Sequence, residues 1–334
     1  EPPLVKKVSS IIESPHGLEG KHIALWQSHG FYYEQKLLRW EWQRARIFQT
    51  VEDLYTQSYV LPFLVPMLEN AGAYVLMPRE RDTQLKEIII DNDIPGSGYR
   101  ETNGSRRWNN TDSIGFNTPK EVYISGENPF RLGSARLVRS VDSKEEESKA
   151  IWSAHIEESG EYAVYVSYQS LPKSTSAAKY TVSHSSGETS FIVNQKMGGG
   201  TWIYLGTFYF SKDKENQFVS LTNNTGNNKE YITADAVKIG GGFGNIARKP
   251  SEEGSQLNVK SSSTEPLEKI KIDLEVEPIV SGYPRFTEGA RYWLQWAGFS
   301  DTIYSPNKNA NDYNDDYMSR GKWVNVISGG SKVN

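Results

Sequence analysis

The chain has 334 residues, 37% of them hydrophobic and 23% charged, which suits two domains, or one domain carrying an insertion, around a sizeable core. Its net charge of −4 gives no bulk attraction to nucleic acid or to an anionic membrane, and no apolar run is long enough to span a bilayer. Cysteine is absent, so disulfides and thiolate zinc sites are excluded, and any metal must use carboxylates and the five histidines, His16, His22, His29, His155 and His184.

Residues 1–20 are polar with Pro and Gly and read as a leader or edge element. The chain opens at Glu1 without Met and reads as a mature or trimmed form. The run "KHIALWQ" (21–27) predicts a buried strand that stops at Ser28-His29-Gly30. Interleaved bases and aromatics follow at 31–46. They read either as one wall of a substrate cleft, with Trp40 or Trp42 under a sugar or peptide, or as a helix packing its aromatics on the sheet. Helical spacing is read across 39–72, with Val51, Leu54, Tyr55 and Ser58 on one side, then Leu61, Leu64, Val65 and Leu68. Pro62 and Pro66 predict a kink or restart, and Asn70-Ala71-Gly72 a stop. A second strand at 73–78 completes a right-handed parallel βαβ unit.

After about residue 95 the pattern changes to a turn-rich connector. From 113 to 248 it becomes short alternating strands that predict an antiparallel β-sandwich. Residues 249–266 read as a low-complexity linker and 285–299 as a helix. The Asn/Asp-rich stretch 307–316 offers oxygen ligands for calcium, but lacks the central Gly and closing Glu of an EF-hand loop, so a solvated loop is the preferred reading. Two parallel strands and a helix cannot cover both faces of a sheet. Residues 249–334 are therefore expected to return to the α/β domain of 1–112, with 113–248 inserted. The expected fold class is α/β plus all-β: a parallel or mixed sheet with helices, interrupted by the sandwich.

His29 falls where the first strand ends, the place where open parallel sheets gather ligands. A helix folded back over that strand could bring Glu52 beside it. An imidazole and a carboxylate are good zinc ligands, and catalytic zinc takes three protein ligands plus a water. Spacing alone fits a loop histidine and a solvated glutamate as well. Arg79 and Asp82 read as an ion pair near the second strand's end.

These residues also carry a resemblance. The stretch "IALWQSHG…VEDLYTQSYVLPFLVPMLENAGAYVLMPRERD" resembles the opening of the zinc-dependent N-acetylmuramoyl-L-alanine amidases, through His29-Gly30, Glu52, Gly72, Pro78-Arg79 and Asp82. "SRGKWVN" (319–325) resembles that family's step into a third strand, with Val324 for Ala. The resemblance implies zinc held by His29 and Glu52, with a further histidine and the general base beyond Asn334. It implies hydrolysis of an amide in peptidoglycan, with this chain inactive by itself. His155 and His184 fall in the inserted region and do not match the missing ligand. The loop after His29 departs from the family in being longer and aromatic.

A second resemblance lies in the insertion. Trp202, Leu205, Gly206, Phe208 and Phe210, followed by Ala234-Asp235-Ala236-Val237-Lys238, resemble the golvesin/xanthan-lyase C-terminal-like module. That implies a jelly-roll-like, carbohydrate-binding module of secreted bacterial proteins, placed outside the cell, in the periplasm or on the cell surface. Trp152, Trp202, Tyr204 and Tyr209 are its candidate sugar platforms, with core as the preferred role of Trp202. Strand alternation sets Trp202 and Tyr204 opposite Ile203 and Leu205, so one set should face out. Asp235, between small apolar residues, reads as a structural hydrogen-bonding group. Three functions stay open: a zinc amidase-like hydrolase, a non-catalytic polysaccharide-binding protein, and a polysaccharide lyase, which would need a Tyr/His/Arg cluster in a sugar groove. The expected partner is peptidoglycan or another polysaccharide, met by a monomer.

Overall fold

The computed structural model describes residues 2–9, 17–44, 46–248 and 277–328; the expected linker at 249–266 lies outside them. The alternating strands form a sandwich. One sheet has six antiparallel strands in the order Val5–Lys7, Gly187–Val193, Ala178–His184, Phe218–Thr222, Lys149–Ser153 and Tyr99–Thr102. Opposite it lie a four-stranded sheet, Ile203–Phe210, Gly160–Val166, Val237–Gly240 and Glu87–Ile90, and a three-stranded one, Asn109–Gly115, Gly133–Arg139 and Tyr231–Ala234. The sheets thus recruit strands from before residue 113. Trp152, Tyr162, Val164, Tyr180, Leu221 and Ile239 fill the space between them.

Asp235 and Ala236 join the last strand of the three-stranded sheet to its continuation in the four-stranded one. Asp235 is fully buried and accepts the Phe116 N–H, while the Trp152 indole N–H donates to its carbonyl oxygen at 2.9 Å. Its role is the structural one that its small apolar neighbours suggest. Burial, with Asp91 nearby, pushes its carboxyl well above the usual range.

The βαβ unit is present. His22–Ala24 pairs in parallel with Tyr74–Leu76. Helix α1 (Glu52–Tyr59), a π-turn (Val60–Leu64) and α2 (Val65–Asn70) form the crossover. Pro62 lies inside the π-turn and Pro66 in the first turn of α2, where a missing N–H costs little. The helix does not begin at 39. Phe31–Glu34 pairs with Arg39–Trp42, and Arg46–Ile47 with Thr50–Val51, as antiparallel hairpins. The helical reading of 31–46 is therefore corrected. Aromatics at alternate positions favour a pleated surface, where cross-strand rings can meet.

The expected return of the C-terminal segment to the parallel sheet is also corrected. Among the described residues that sheet has two strands, and Tyr55, Tyr59, Phe63 and Met67 on the crossover stay exposed. Residues 285–328 instead form α3 (Ala290–Trp296), α4 (Asp301–Tyr304) and α5 (Asp312–Ile327). Trp293 and Trp296 of α3 cover the outer face of the four-stranded sheet, in one cluster with Trp202 and Tyr165. The 319–325 segment lies inside α5, not before a strand.

Asp312, Asp315 and Asp316 are buried on α5, so neither calcium nor a solvated loop describes them. Asp312 meets Arg248 at 2.8 Å, Arg291 at 3.4 Å and the Tyr292 hydroxyl at 2.7 Å. Asp316 meets Arg320 and Gln43. Arginines already supply the positive charge that a cation would bring.

Candidate functional site

The first hairpin puts one kind of side chain on one face. Phe31 lies opposite Trp42 and Tyr33 opposite Trp40, and positions two apart on a strand share a face, so all four rings point the same way. Tyr283 closes against them, 4.6 Å from Phe31 and 5.8 Å from Trp42, centroid to centroid. Phe31 and Trp42 are 4.8 Å apart and tilted by 53°. The Trp40 indole N–H donates to Ile279 at 3.3 Å and its ring packs on Tyr292. Phe31, Trp40, Trp42 and Tyr283 border a cleft of about 340 Å³ whose rim carries Glu41, Arg44 and Arg46. Trp40 and Trp42 thus sit together on one wall of this cleft. Phe31 and Tyr283 went unforeseen: the period-two aromatics in "FYY" and "RWEW" could have signalled the hairpin, whereas nothing local marks Tyr283.

Arg79 holds the hairpin in place. It is buried and donates to the carbonyls of Ser28 at 2.9 Å, Phe286 at 3.0 Å and Glu288 at 2.8 Å, and also to that of His29. The expected Arg79–Asp82 ion pair is therefore corrected. Asp82 accepts the backbone N–H of Gln84 and Ala163 instead.

His29 lies beside this clamp. Its Nδ1 is 3.6 Å from Asp53, and its Nε2 is 3.1 Å from a guanidinium nitrogen of Arg44. Glu52 is exposed, so the carboxylate beside His29 belongs to the next residue. Asp53 and Gln57 form the buried side of α1, and one residue along a helix turns the side chain about 100° away. Burial, then Arg320 and Arg44, push the His29 pKa down, and burial pushes Asp53 up to about 6.

This arrangement does not fit zinc. A guanidinium occupies the Nε2 side of the imidazole, and no group of three His, Asp or Glu is placed to hold a metal among the described residues. The expected His29–Glu52 pairing on a metal is corrected accordingly. What is assembled is a neutral imidazole, a guanidinium and, 3.4 Å beyond it, the Tyr313 hydroxyl.

On the sandwich, Trp152 is fully buried against Tyr99 and Tyr180, and Trp202 is buried against Phe116 and Phe130. Neither offers a ring face to a sugar, which corrects both as platforms. The expected inside/outside split fails because α3 covers the outer face of the sheet. Tyr204 is half-buried under the Arg81 guanidinium, 3.8 Å from its ring centre, and Tyr209 is exposed. A second cleft, of about 360 Å³, includes Asp93, Tyr99, Glu101 and Arg136. Arg136 already meets Glu101 with two nitrogens, at 2.6 and 3.0 Å, and Tyr99 donates to Glu101 as well.

Residues 125–241 match the family model of the Golvesin C-terminal domain. The chain is 32% identical over 80 residues to a xanthan lyase of Bacillus sp. (strain GL1), covering 24% of this chain and 9% of that enzyme. The match therefore spans a small part of that relative's length. Among solved structures, the Paenibacillus xanthan lyase aligns with a TM-score of 0.34 and 23% identity, over 46% of this chain and 13% of that one. A xylan-binding domain of the CBM 22 type aligns with a TM-score of 0.24 and 12% identity, over 45% of this chain and 90% of that one.

Proposed function

We propose that this is a polysaccharide-binding protein whose sugar site is the Phe31–Trp42–Tyr283 cleft, acting at the cell surface or outside the cell. One observation carries the reading: rings converge on one face of a hairpin, of which Trp40 and Trp42, with Tyr283 beside them, stay partly open to solvent, and charged groups stand at their rim. A pyranose presents an apolar C–H face and a polar edge, which suits such a surface. The match to the golvesin domain and the partial identity with a xanthan lyase support a polysaccharide setting. The sandwich then serves as the rigid mount, since its own tryptophans are buried.

The test is affinity electrophoresis of the chain through gels containing xylan, cellulose derivatives, xanthan, pectate, alginate or solubilised peptidoglycan. At least one polymer is expected to retard it, and Trp42→Ala to weaken that binding about tenfold, ~1.4 kcal/mol. No retardation by any polymer would sink the reading. The contact chain His29–Arg44–Tyr313 favours a second reading, a polysaccharide lyase. The same mixtures would then gain the ultraviolet absorbance of an unsaturated sugar.

A further inference from the structure

We infer that the cleft selects sugars bearing a carboxylate, such as uronic acids, over their neutral counterparts. This rests on the cleft being the sugar site, and it adds the chemical class of the ligand. The rim holds two arginines and one glutamate. Glu41 is already engaged, accepting from Arg39 Nε at 2.5 Å. Arg44 spends its guanidinium on uncharged partners, the Tyr313 hydroxyl and His29 Nε2. Asp53 accepts the Arg44 backbone N–H at 3.3 Å and lies against the other side of His29. The Arg46 side chain is exposed and has no hydrogen-bond or ion-pair partner among the described residues.

The rim therefore carries positive charge without carboxylate partners, on a chain whose net charge is −4. A planar guanidinium pairs with a carboxylate through two parallel hydrogen bonds, and beside an aromatic wall that excludes water the pairing is strengthened. A sugar stacked on Trp42 and Tyr283 would bring its ring substituents to this rim. A neutral hydroxymethyl group there gains nothing from the charge.

The experiment is isothermal titration calorimetry of the chain with oligomers of galacturonate, alginate and hyaluronan, each beside the same oligomer with its carboxylates reduced to alcohols. At least one acidic oligomer is expected to bind ten or more times tighter than its reduced form, with the gap shrinking in high salt. Arg46→Gln should narrow that ratio several-fold, and Arg46→Glu should abolish the preference. The exposed, unpartnered position of Arg46 makes both substitutions compatible with folding. Equal binding of acidic and reduced forms, or binding to neutral polymers alone, would overturn the carboxylate preference and leave the cleft a sugar site. If no acidic or neutral glycan bound, both readings would fall.

Discussion

At the scale of single residues, Arg79 and Gly30 decide whether the cleft exists. A Cβ on Gly30 would stand 2.7 Å from backbone atoms of Glu288 and Gly289, so only glycine lets the two segments meet. Across that junction the Gly289 N–H donates to the Phe31 carbonyl at 2.9 Å, and Arg79 binds the carbonyls on both sides. Burial lowers the Arg79 pKa to about 10, which leaves it charged at neutral pH. Replacing it with Met would strand several buried acceptors, each worth roughly 1–3 kcal/mol, so Arg79→Met should cost at least ~3 kcal/mol. A denaturant titration measures this; a loss under ~1 kcal/mol would mean that water replaces the guanidinium. This residue's importance was half legible. Its position at the end of a strand drew notice, but an arginine beside a nearby aspartate suggests an ion pair, and carbonyl acceptors leave no trace in a sequence. His29 likewise stood out by its place after a strand. Its partner was misread by one position, because only the packed helix shows that Asp53, not Glu52, faces inward.

At the scale of elements, α5 explains why the sequence of a 16-residue helix reads as a loop at 307–316 and as a step into a strand at 319–325. Its buried positions are Asp312, Asp315, Asp316, Ser319, Arg320 and Trp323. They recur at helical spacing, but five of the six are polar, and a search for apolar periodicity cannot register them. The sandwich strands were legible because their buried residues are apolar and alternate, as in Ala178–His184. The face of α5 works because each acid has a partner, and Asp312 alone serves two arginines and a tyrosine. Removing one member of such a buried group leaves the others uncompensated. Asp312→Ala should therefore destabilise the chain by roughly 3–5 kcal/mol, whereas Asp312→Asn, which keeps an acceptor, should cost less. If thermal unfolding moved equally little in both variants, the arginines would be shown to find other partners.

At the scale of the whole molecule, buried acids set how stability follows pH. Burial pushes Glu288 and Asp91 up to about 7, and Asp82 up to about 6. Unfolded, each would titrate near pH 4. A folded state that holds protons more tightly than the unfolded chain is favoured at low pH, and that advantage drains away as pH rises through the folded pKa values. His29 and His184 act in the opposite sense: burial, with nearby cations, lowers both, so their contribution is lost as pH falls below about 6.5. Asp316, where Arg320, Gln43 and Arg79 together outweigh the burial, is held below the usual carboxylate range. Above about pH 7 these histidines are mostly neutral in both states, and the buried carboxyls dominate. The melting temperature should therefore fall as pH rises from about 7 and level off towards about pH 8 as Glu288 and Asp91 finish ionising, and Asp91→Asn, which keeps the site neutral at every pH, should flatten part of that slope. A melting temperature that rose across the same interval in calorimetry would show that these carboxyls are ionised in the folded chain. Arg285 and Arg79 beside Glu288, and Lys238 beside Asp82, would then be the stronger influence.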